Sequence, residues 1–573
     1  MERYLRFILL KSLNSIGIGD SFIDIELPKE PKFGDLSTPM AMTLSKRLKR
    51  PPRDIAENLI NSINKELGSK IKDIFEKIEI AGPGFINFTF SKKYLCSELL
   101  KLNKEGFSYL TEDIGKGKRV QIEFVSANPT GPLHLGHGRG AALGAALSNL
   151  LKEAGYSVEK EYYINDAGRQ VKLLGLSVFA KYRQLLGEDF PFPDEGYKGK
   201  YIEDLARDFS KMQVARCKIE DSKLETCGLQ PQKKTEEELL NEITDFSYKK
   251  MLDEIKKDLQ DFGVFFDSWQ SERELYQKKE ESQRSEIEES IDELRRRGYV
   301  YEKDSALWFK STEFGDDKDR VIIKSDGEYT YFASDIAYHR KKIEKGFDEI
   351  IDIWGADHHG YIPRIKAVIE ALGYPKDSLR VLLVQMVTLL KGGKPVQMSK
   401  RAGEFITLRE VIDEIGPDTT KFLFLTRRSD SHLEIDIEVA KAQSAENPVY
   451  YVQYAHARIN SIFEKIKGQE SEYNIHDLTV FECESFNDEE ISIIKKLLLY
   501  PMMFKNAAIA HEPHRITFYL QELASMFHSY YHKYRVISED KDTTIIRLAL
   551  CRAIQIILSH GLNILGVKAP EKM

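Results

Sequence analysis

The stretch from Arg119 to Gly155, RVQIEFVSANPTGPLHLGHGRGAALGAALSNLLKEAG, constrains the fold more than any other part of the chain. Val120 to Val125 alternates apolar and polar side chains, the period of a strand, whereas Leu135 onward is rich in Ala and Leu at helical spacing and stops at Gly155. Between them Asn128, Pro129, Gly131 and Pro132 predict a turn. A strand that passes through a glycine-containing turn into a helix directs unpaired backbone N–H groups, and the positive helix end, at one point suited to a phosphate. His134-Leu135-Gly136-His137 adds two imidazole donors around a residue with no side chain. Gly136 would let a flat adenine lie on the backbone while His134 and His137 hold phosphate oxygens. The stretch alone leaves this reading and a crossover packed through its glycines equally open.

The remaining sequence sets the context. A chain of 573 residues exceeds a single core, and ~3 to 4 domains is the natural prior. No apolar run reaches the ~20 residues of a membrane span, and the N-terminal MERYLRFILLKSLNS has neither a cleavage site nor transit-peptide composition. The expected location is cytoplasmic, without a membrane partner. Five cysteines without a close CxxC pair argue against a disulfide framework or a structural zinc site. The net charge of -7 is unevenly placed, with 18 Lys/Arg against 14 Asp/Glu in residues 1 to 110, so nucleic acid remains open as a partner.

Residues 1–110 predict a separate α+β unit: helices over Pro39–Leu48 and Asp54–Leu67, then strand, turn and strand in IEIAGPGFINFTF. Lys46, Arg47, Lys49, Arg50 and Arg53 gather at the first helix end, as a solvated terminus or an RNA-backbone contact. After a second strand–helix pair, the charged, locally irregular sequence from about 190 to 265 predicts an insertion. The α/β pattern returns with Tyr329–Asp335 leading into a helix, and with the apolar strand DEIIDIWGADHHG. A parallel sheet follows, with ligands outside the carboxyl ends of its strands, where the Asp335 and Gly355–His359 loops are placed. A strand pair then leads to Met398-Ser399-Lys400-Arg401, a segment either reaching a polyphosphate or serving solubility. Beyond about residue 440 apolar residues recur at helical spacing, predicting an all-α domain. Its tyrosines, His528, His532, Lys533 and Arg535 could line an RNA groove or belong to the core.

In order and in combination, HLGH, the split α/β domain, MSKR and the helical C-terminal region resemble a class I aminoacyl-tRNA synthetase. EFVSANPTGPLHLGHGRGA, YINDAGRQ, YFASDIAYHRKK, WGADHHGY, MSKRAGEFITL and NPVYYVQYAHARI resemble the bacterial arginyl-tRNA synthetase family in particular. The resemblance implies an N-terminal α+β domain over 1–110, a Rossmann-like catalytic domain over 111–440 with the insertion at about 190–265, and an all-α anticodon-binding domain over 441–573. It also implies a monomeric arginine–tRNA ligase using L-arginine, ATP with Mg²⁺, and arginine tRNA, without zinc. His134, His137 and Lys400 become catalytic, and Pro129, Gly136, Gly355, Asp357, Met398 and Ser399 join them around ATP. Glu123 and Asp335 with Tyr331 would take the guanidinium; Ser126, Asn128, His137 and His359 would lie near the amino-acid backbone. The family's first loop lysine is replaced here by Gln397. A small-molecule adenylyltransferase also uses HxGH but needs no Met398–Arg401 segment or helical domain, and a non-catalytic tRNA-binding relative would be expected to lose the histidines or Lys400.

Overall fold

The computed structural model describes residues 1–19, 23–224, 235–278, 283–396, 406–468, 473 and 485–573. The chain divides into two compact units, residues 113–443 with 565–567, and residues 1–112 with 444–564 and 568–573.

The first unit is built on a parallel sheet of five strands: β1 (Arg119–Glu123), β2 (Ser157–Ile164), β3 (Ser268–Ser271), β4 (Glu349–Gly355) and β5 (Leu379–Val384), in the order β5-β4-β1-β2-β3. The order reverses between β1 and β4, and that switch point opens a crevice at the carboxyl ends of the strands. Helix α1 (Leu135–Glu153) follows β1 and packs on the sheet so closely that a Cβ at Gly144 would enter the Phe124 ring. Helix α2 (Arg169–Leu185) follows β2. The helical patches of the predicted insertion are two long helices, α3 (Lys200–Leu224) and α4 (Glu236–Asp261). Ile202, Leu205, Phe209, Ile243 and Met251 bury themselves against Leu174 and Val178 of α2, so apolar spacing overrides the prolines and glycines at the margins.

Before β4 lie helix α5 (Glu286–Arg296), a small antiparallel sheet and helix α6 (Tyr331–Glu344). Asp335 therefore stands on a helix rather than on a sheet-edge loop: the helix begins at Tyr331, directly after Thr330, whose N–H donates to the Ile322 carbonyl at 2.9 Å. A short helix, α7 (Leu408–Ile415), follows residues 397–405.

In the second unit the N-terminal segment pairs the strand Leu36–Thr38 with Phe85–Phe90 and Phe75–Ala81 beneath helices Met40–Leu48 and Pro52–Leu67. The C-terminal segment is helical, with Pro448–Lys465, Asp488–Ala510 and His514–Lys533 around Lys541–Ile564. That last helix is long and apolar enough to cross a membrane, but 78% of its apolar window is buried as the core of this helical group. His528 belongs to the same core, bonded to the Tyr451 carbonyl at 3.0 Å. Cys551 is a buried free thiol.

Candidate active site

The chain turns sharply at the end of β1. Val125 and Ser126 have positive φ, 69° and 38°, and the Ser126 N–H donates to the Phe124 carbonyl at 3.0 Å. Such conformations cost ~1–3 kcal/mol each in non-glycine residues and persist only where the surroundings hold them. Here Ser126 Oγ donates to Glu123 Oε1 at 2.8 Å and accepts from the Tyr163 N–H at 3.1 Å. Tyr162 donates its hydroxyl to the Ala127 carbonyl at 2.9 Å, and Tyr201 of α3 donates to the Thr130 carbonyl at 2.9 Å. Asn128 donates its amide to Gln170 at 2.6 Å. The predicted strand thus ends at Glu123 because that glutamate draws Ser126 back over itself.

The turn delivers His134 to the N-cap of α1. Its Nδ1 accepts from the Gly136 and His137 N–H groups at 3.1 and 3.4 Å, and His137 Nδ1 accepts from the His134 N–H at 3.3 Å. The two rings stack with centroids 3.6 Å apart. With both Nδ1 atoms accepting backbone protons, each ring carries its own proton on Nε2. Burial lowers the pKa of His134, and burial together with the charge of His134 pushes His137 down to about 3. Both are therefore neutral donors at pH 7, set beside the positive end of a helix. A Cβ at Gly136 would stand 3.0 Å from His134 Cε1, so the missing side chain also makes room for this ring.

Across the switch point, β4 ends at Gly355 and passes into the 3-10 turn Ala356–Tyr361. Asp357 folds back over Gly355, lies 3.6 Å from His358 Nε2, and is close enough for its charge to raise the pKa of His134 against the effect of burial. His359 is exposed on the same turn. Met398, Ser399 and Lys400 lie outside the described residues. The chain resumes at Ile406; Thr407 pairs with His134 as an antiparallel bridge, and the Leu408 N–H donates to the Leu133 carbonyl at 2.7 Å.

Beneath the β1 turn, α6 presents a row of polar side chains to the sheet. Glu123 Oε2 accepts from Lys342 Nζ and, at 2.9 Å, from Tyr338 OH. Lys342 also donates to Asp352 at 2.7 Å, and Tyr338 OH lies 2.7 Å from Glu161 Oε1, so its single proton is shared between the two carboxyl groups. Lys342 is 1% exposed; its carboxylate partners outweigh burial and hold its ammonium above the ordinary range. Asp335, further up α6, accepts from Tyr361 OH, and burial raises its carboxyl. Glu272, directly after β3, is 1% exposed; its Oε1 accepts from Tyr276 OH at 3.4 Å, while among the described residues its Oε2 has no hydrogen-bond partner, and neither has the buried hydroxyl of Tyr163. Burial, with repulsion from Asp335 and Asp166, pushes the Glu272 carboxyl up to about 7. Burial raises the Tyr163 hydroxyl, and the charges of Glu272, Asp335 and Glu123 add to it. A buried carboxylate without a cation calls for a cationic ligand.

Three family descriptions match the chain: the arginyl tRNA synthetase N-terminal domain over residues 4–90, the catalytic domain of class I tRNA synthetases (R) over 100–464, and the DALR anticodon binding domain over 452–573. An arginine–tRNA ligase of Geobacter sp. strain M21 is 47% identical across 96% of this chain and 95% of its own. The Aquifex aeolicus arginine–tRNA ligase is 45% identical, with 96% of each chain covered. The Thermus thermophilus arginyl-tRNA synthetase structure has the same fold, with a TM-score of 0.74, 20% identity and full coverage of both chains. The chain belongs to the arginyl-tRNA synthetase family.

At the switch point His134, Gly136 and His137 stand at the head of α1 and Gly355 and Asp357 at the end of β4, whereas Glu123 ends β1, Ser126 follows it and Asp335 stands on α6. Tyr331 is 54% exposed and hangs over Gly168. Pro129 and Asn128 lie in the turn between β1 and α1. Glu123 departs most from the sequence-based expectation: Ser126, Tyr338 and Lys342 occupy its oxygens, so it offers no open bidentate face. Glu272 and Tyr163 are the residues that sequence reasoning missed. The available signal was a glutamate at the end of the short strand SWQS, but four residues are too few to reveal a period.

Proposed function

We propose that this chain is an arginine–tRNA ligase, which joins L-arginine to AMP at the expense of ATP and passes the arginyl group to the 3' end of arginine tRNA. The observation that carries the reading is the pairing of two neutral Nε2–H donors at the head of α1 with a buried, uncompensated carboxylate pocket on the other side of the β1 turn. The first suits phosphate oxygens and the second a guanidinium, whose planar fork of donors matches carboxylate oxygens.

In the first step a carboxylate oxygen of arginine bonds to the α-phosphorus as the bond to the β-phosphate oxygen breaks, releasing pyrophosphate. In the second, a ribose hydroxyl of the tRNA attacks the arginyl carbonyl and AMP leaves. Such displacements depend on positioning and charge neutralisation. His134 and His137 donate to the phosphate oxygens, Gly136 leaves the backbone open to adenine, and Lys400 meets the pyrophosphate, with Pro129, Gly355, Asp357, Met398 and Ser399 completing the nucleotide site. Asp335 and Glu272 accept the guanidinium beside Tyr331; Ser126, Asn128 and His359 address the amino-acid backbone. Glu123 supports that pocket from below. Mg²⁺ enters the site with ATP, as its phosphate complex.

Glu272 makes arginine binding pH-dependent. In the empty site its carboxyl is half protonated near pH 7, and a bound guanidinium favours the ionised form. Arginine affinity should therefore rise about tenfold from pH 6 to pH 8 and level off above, with proton release on binding at the lower pH. Equilibrium dialysis of arginine at several pH values checks this. A Glu272→Gln chain should lose most of the slope, and an unchanged slope would remove Glu272 from the pocket.

For tRNA, the helical segment carries a cavity of about 440 Å³ lined by Tyr454, Arg458, Lys465, Tyr531 and Lys572. The Arg458 guanidinium sits 4.4 Å from the Tyr454 ring and 4.8 Å from that of Tyr531. Aromatic faces flanked by cations suit an unstacked anticodon base and its phosphate. Arg458→Ala is expected to weaken tRNA binding in a filter assay about tenfold, on the scale of one stacking contact, with the arginine and ATP KM values unchanged. The basic cluster Lys46–Arg53 provides a second RNA contact. The enzyme acts as a cytoplasmic monomer with domains over 1–110, 111–440 and 441–573.

The deciding test is arginine-dependent ATP–pyrophosphate exchange with and without arginine tRNA, with other amino acids as controls. Exchange confined to arginine supports the reading; exchange with another amino acid, or none in the presence of tRNA, overturns it.

A further inference from the structure

We infer that Tyr338 and Lys342 are positioning residues for amino-acid binding: acting through Glu123, they hold the strained Val125–Ser126 turn in the shape that presents Ser126 and Asn128. The inference rests on the proposed arginine site and goes beyond it, since neither residue is assigned a contact with substrate.

The turn has little local support. Val125 is β-branched at φ 69°, and Ser126 follows at φ 38°, so two consecutive non-glycine residues occupy the left-handed region. The Ser126 side chain is tied to Glu123 Oε1 at 2.8 Å and to the Tyr163 N–H at 3.1 Å. Glu123 can serve as that anchor only if its carboxyl group is held in place, and it is 6% exposed. Burial raises its carboxyl and the Lys342 ammonium opposes that rise, while Lys342 and Tyr338, both bonded to its other oxygen, fix its position. They lie four residues apart on α6, one turn of helix, and therefore reach the same carboxylate together.

The support is itself braced on its far side. Lys342 donates to Asp352 in the middle of β4, and Asp352 is in turn bonded to His339 Nε2 at 3.1 Å. Tyr338 bridges from Glu123 to Glu161 on β2, which Lys345 also meets at 2.8 Å. The clamp therefore joins β1, β2 and β4 to α6, the helix that carries Asp335. A change at Lys342 or Tyr338 moves the turn relative to Asp335 while leaving the His134–His137 cap, which is held by its own backbone bonds, in place.

The distinction is measurable as a split between substrates. Pyrophosphate exchange in the presence of arginine tRNA would be followed for Tyr338→Phe, Lys342→Met, Glu123→Gln and the double variant Glu123→Gln/Lys342→Met. Lys342→Met is expected to raise the arginine KM on the order of tenfold, and Tyr338→Phe about threefold, with the ATP KM within about twofold of wild type, the scale of coupling inside one hydrogen-bond network. Once Glu123→Gln is present, Lys342→Met should change the arginine KM by less than about twofold, because the path through Glu123 is already cut. Additive effects of the two substitutions, or equal rises in both KM values, would overturn the inference. Should Lys342→Met fail to fold, Tyr338→Phe decides alone, since it removes one oxygen and no charge: an unchanged arginine KM overturns it. A wild-type enzyme without arginine-dependent exchange would instead overturn the proposed function, so the two failures are distinct.

Discussion

Asp335→Ala is expected to lower kcat/KM for arginine by ~2–5 kcal/mol, the cost of removing one partner of a desolvated charge pair. Asp335 stands on α6 with Tyr361 OH on one oxygen, beside Glu272, whose own Oε2 is unpartnered. In the empty enzyme these carboxylates repel each other and burial raises both. Removing one relieves repulsion, so the Asp335→Ala enzyme should melt no lower than wild type while losing its substrate. That opposition between stability and activity separates a binding role from a packing role. The measurement is pyrophosphate exchange over a range of arginine concentrations, beside thermal denaturation without substrate. An arginine KM equal to that of wild type would sink the assignment.

The second large effect concerns His137. Replacing it by asparagine should lower kcat by ~10²–10³-fold, the usual cost of losing a preorganised donor to developing charge. Asparagine retains an acceptor for the His134 N–H, so α1 keeps its reciprocal cap and stability should change by less than ~1 kcal/mol. The ring is already neutral because burial pushes its pKa down to about 3, so its loss removes a hydrogen bond rather than a resident positive charge. Rates that fall in parallel with melting temperature would instead point to a collapsed helix terminus. A rate within about threefold of wild type would show that His137 does not reach the transition state.

The residues of the HLGH turn were legible because their geometry is local. His134 bonds to backbone groups two and three positions away, and His137 returns the bond across three, so the donors are aimed by a single turn of chain. Gly355 and Asp357 were legible as the end of an apolar strand, and the helical C-terminal segment through its spacing. The insertion was legible only as helical patches, because prolines and glycines at its start hid the extent of two helices whose apolar residues face α2. Asp335 was found, but on the wrong kind of element, because the helix start at Tyr331 is set by the pairing of Tyr329 and Thr330 with the preceding strand and not by a local side-chain cap.

The sequence by itself determined the strand–turn–helix order, the paired histidines at the helix start and the class of enzyme, all encoded in neighbouring residues or in motifs strung along the chain. Only the tertiary structure decided that Glu123 is bound from below by Lys342 and Tyr338, residues 219 and 215 positions away, and that Glu272 is left buried without a cation. Whether a carboxylate is satisfied depends on which distant strands and helices bury it and what they donate, and no spacing within one segment carries that information.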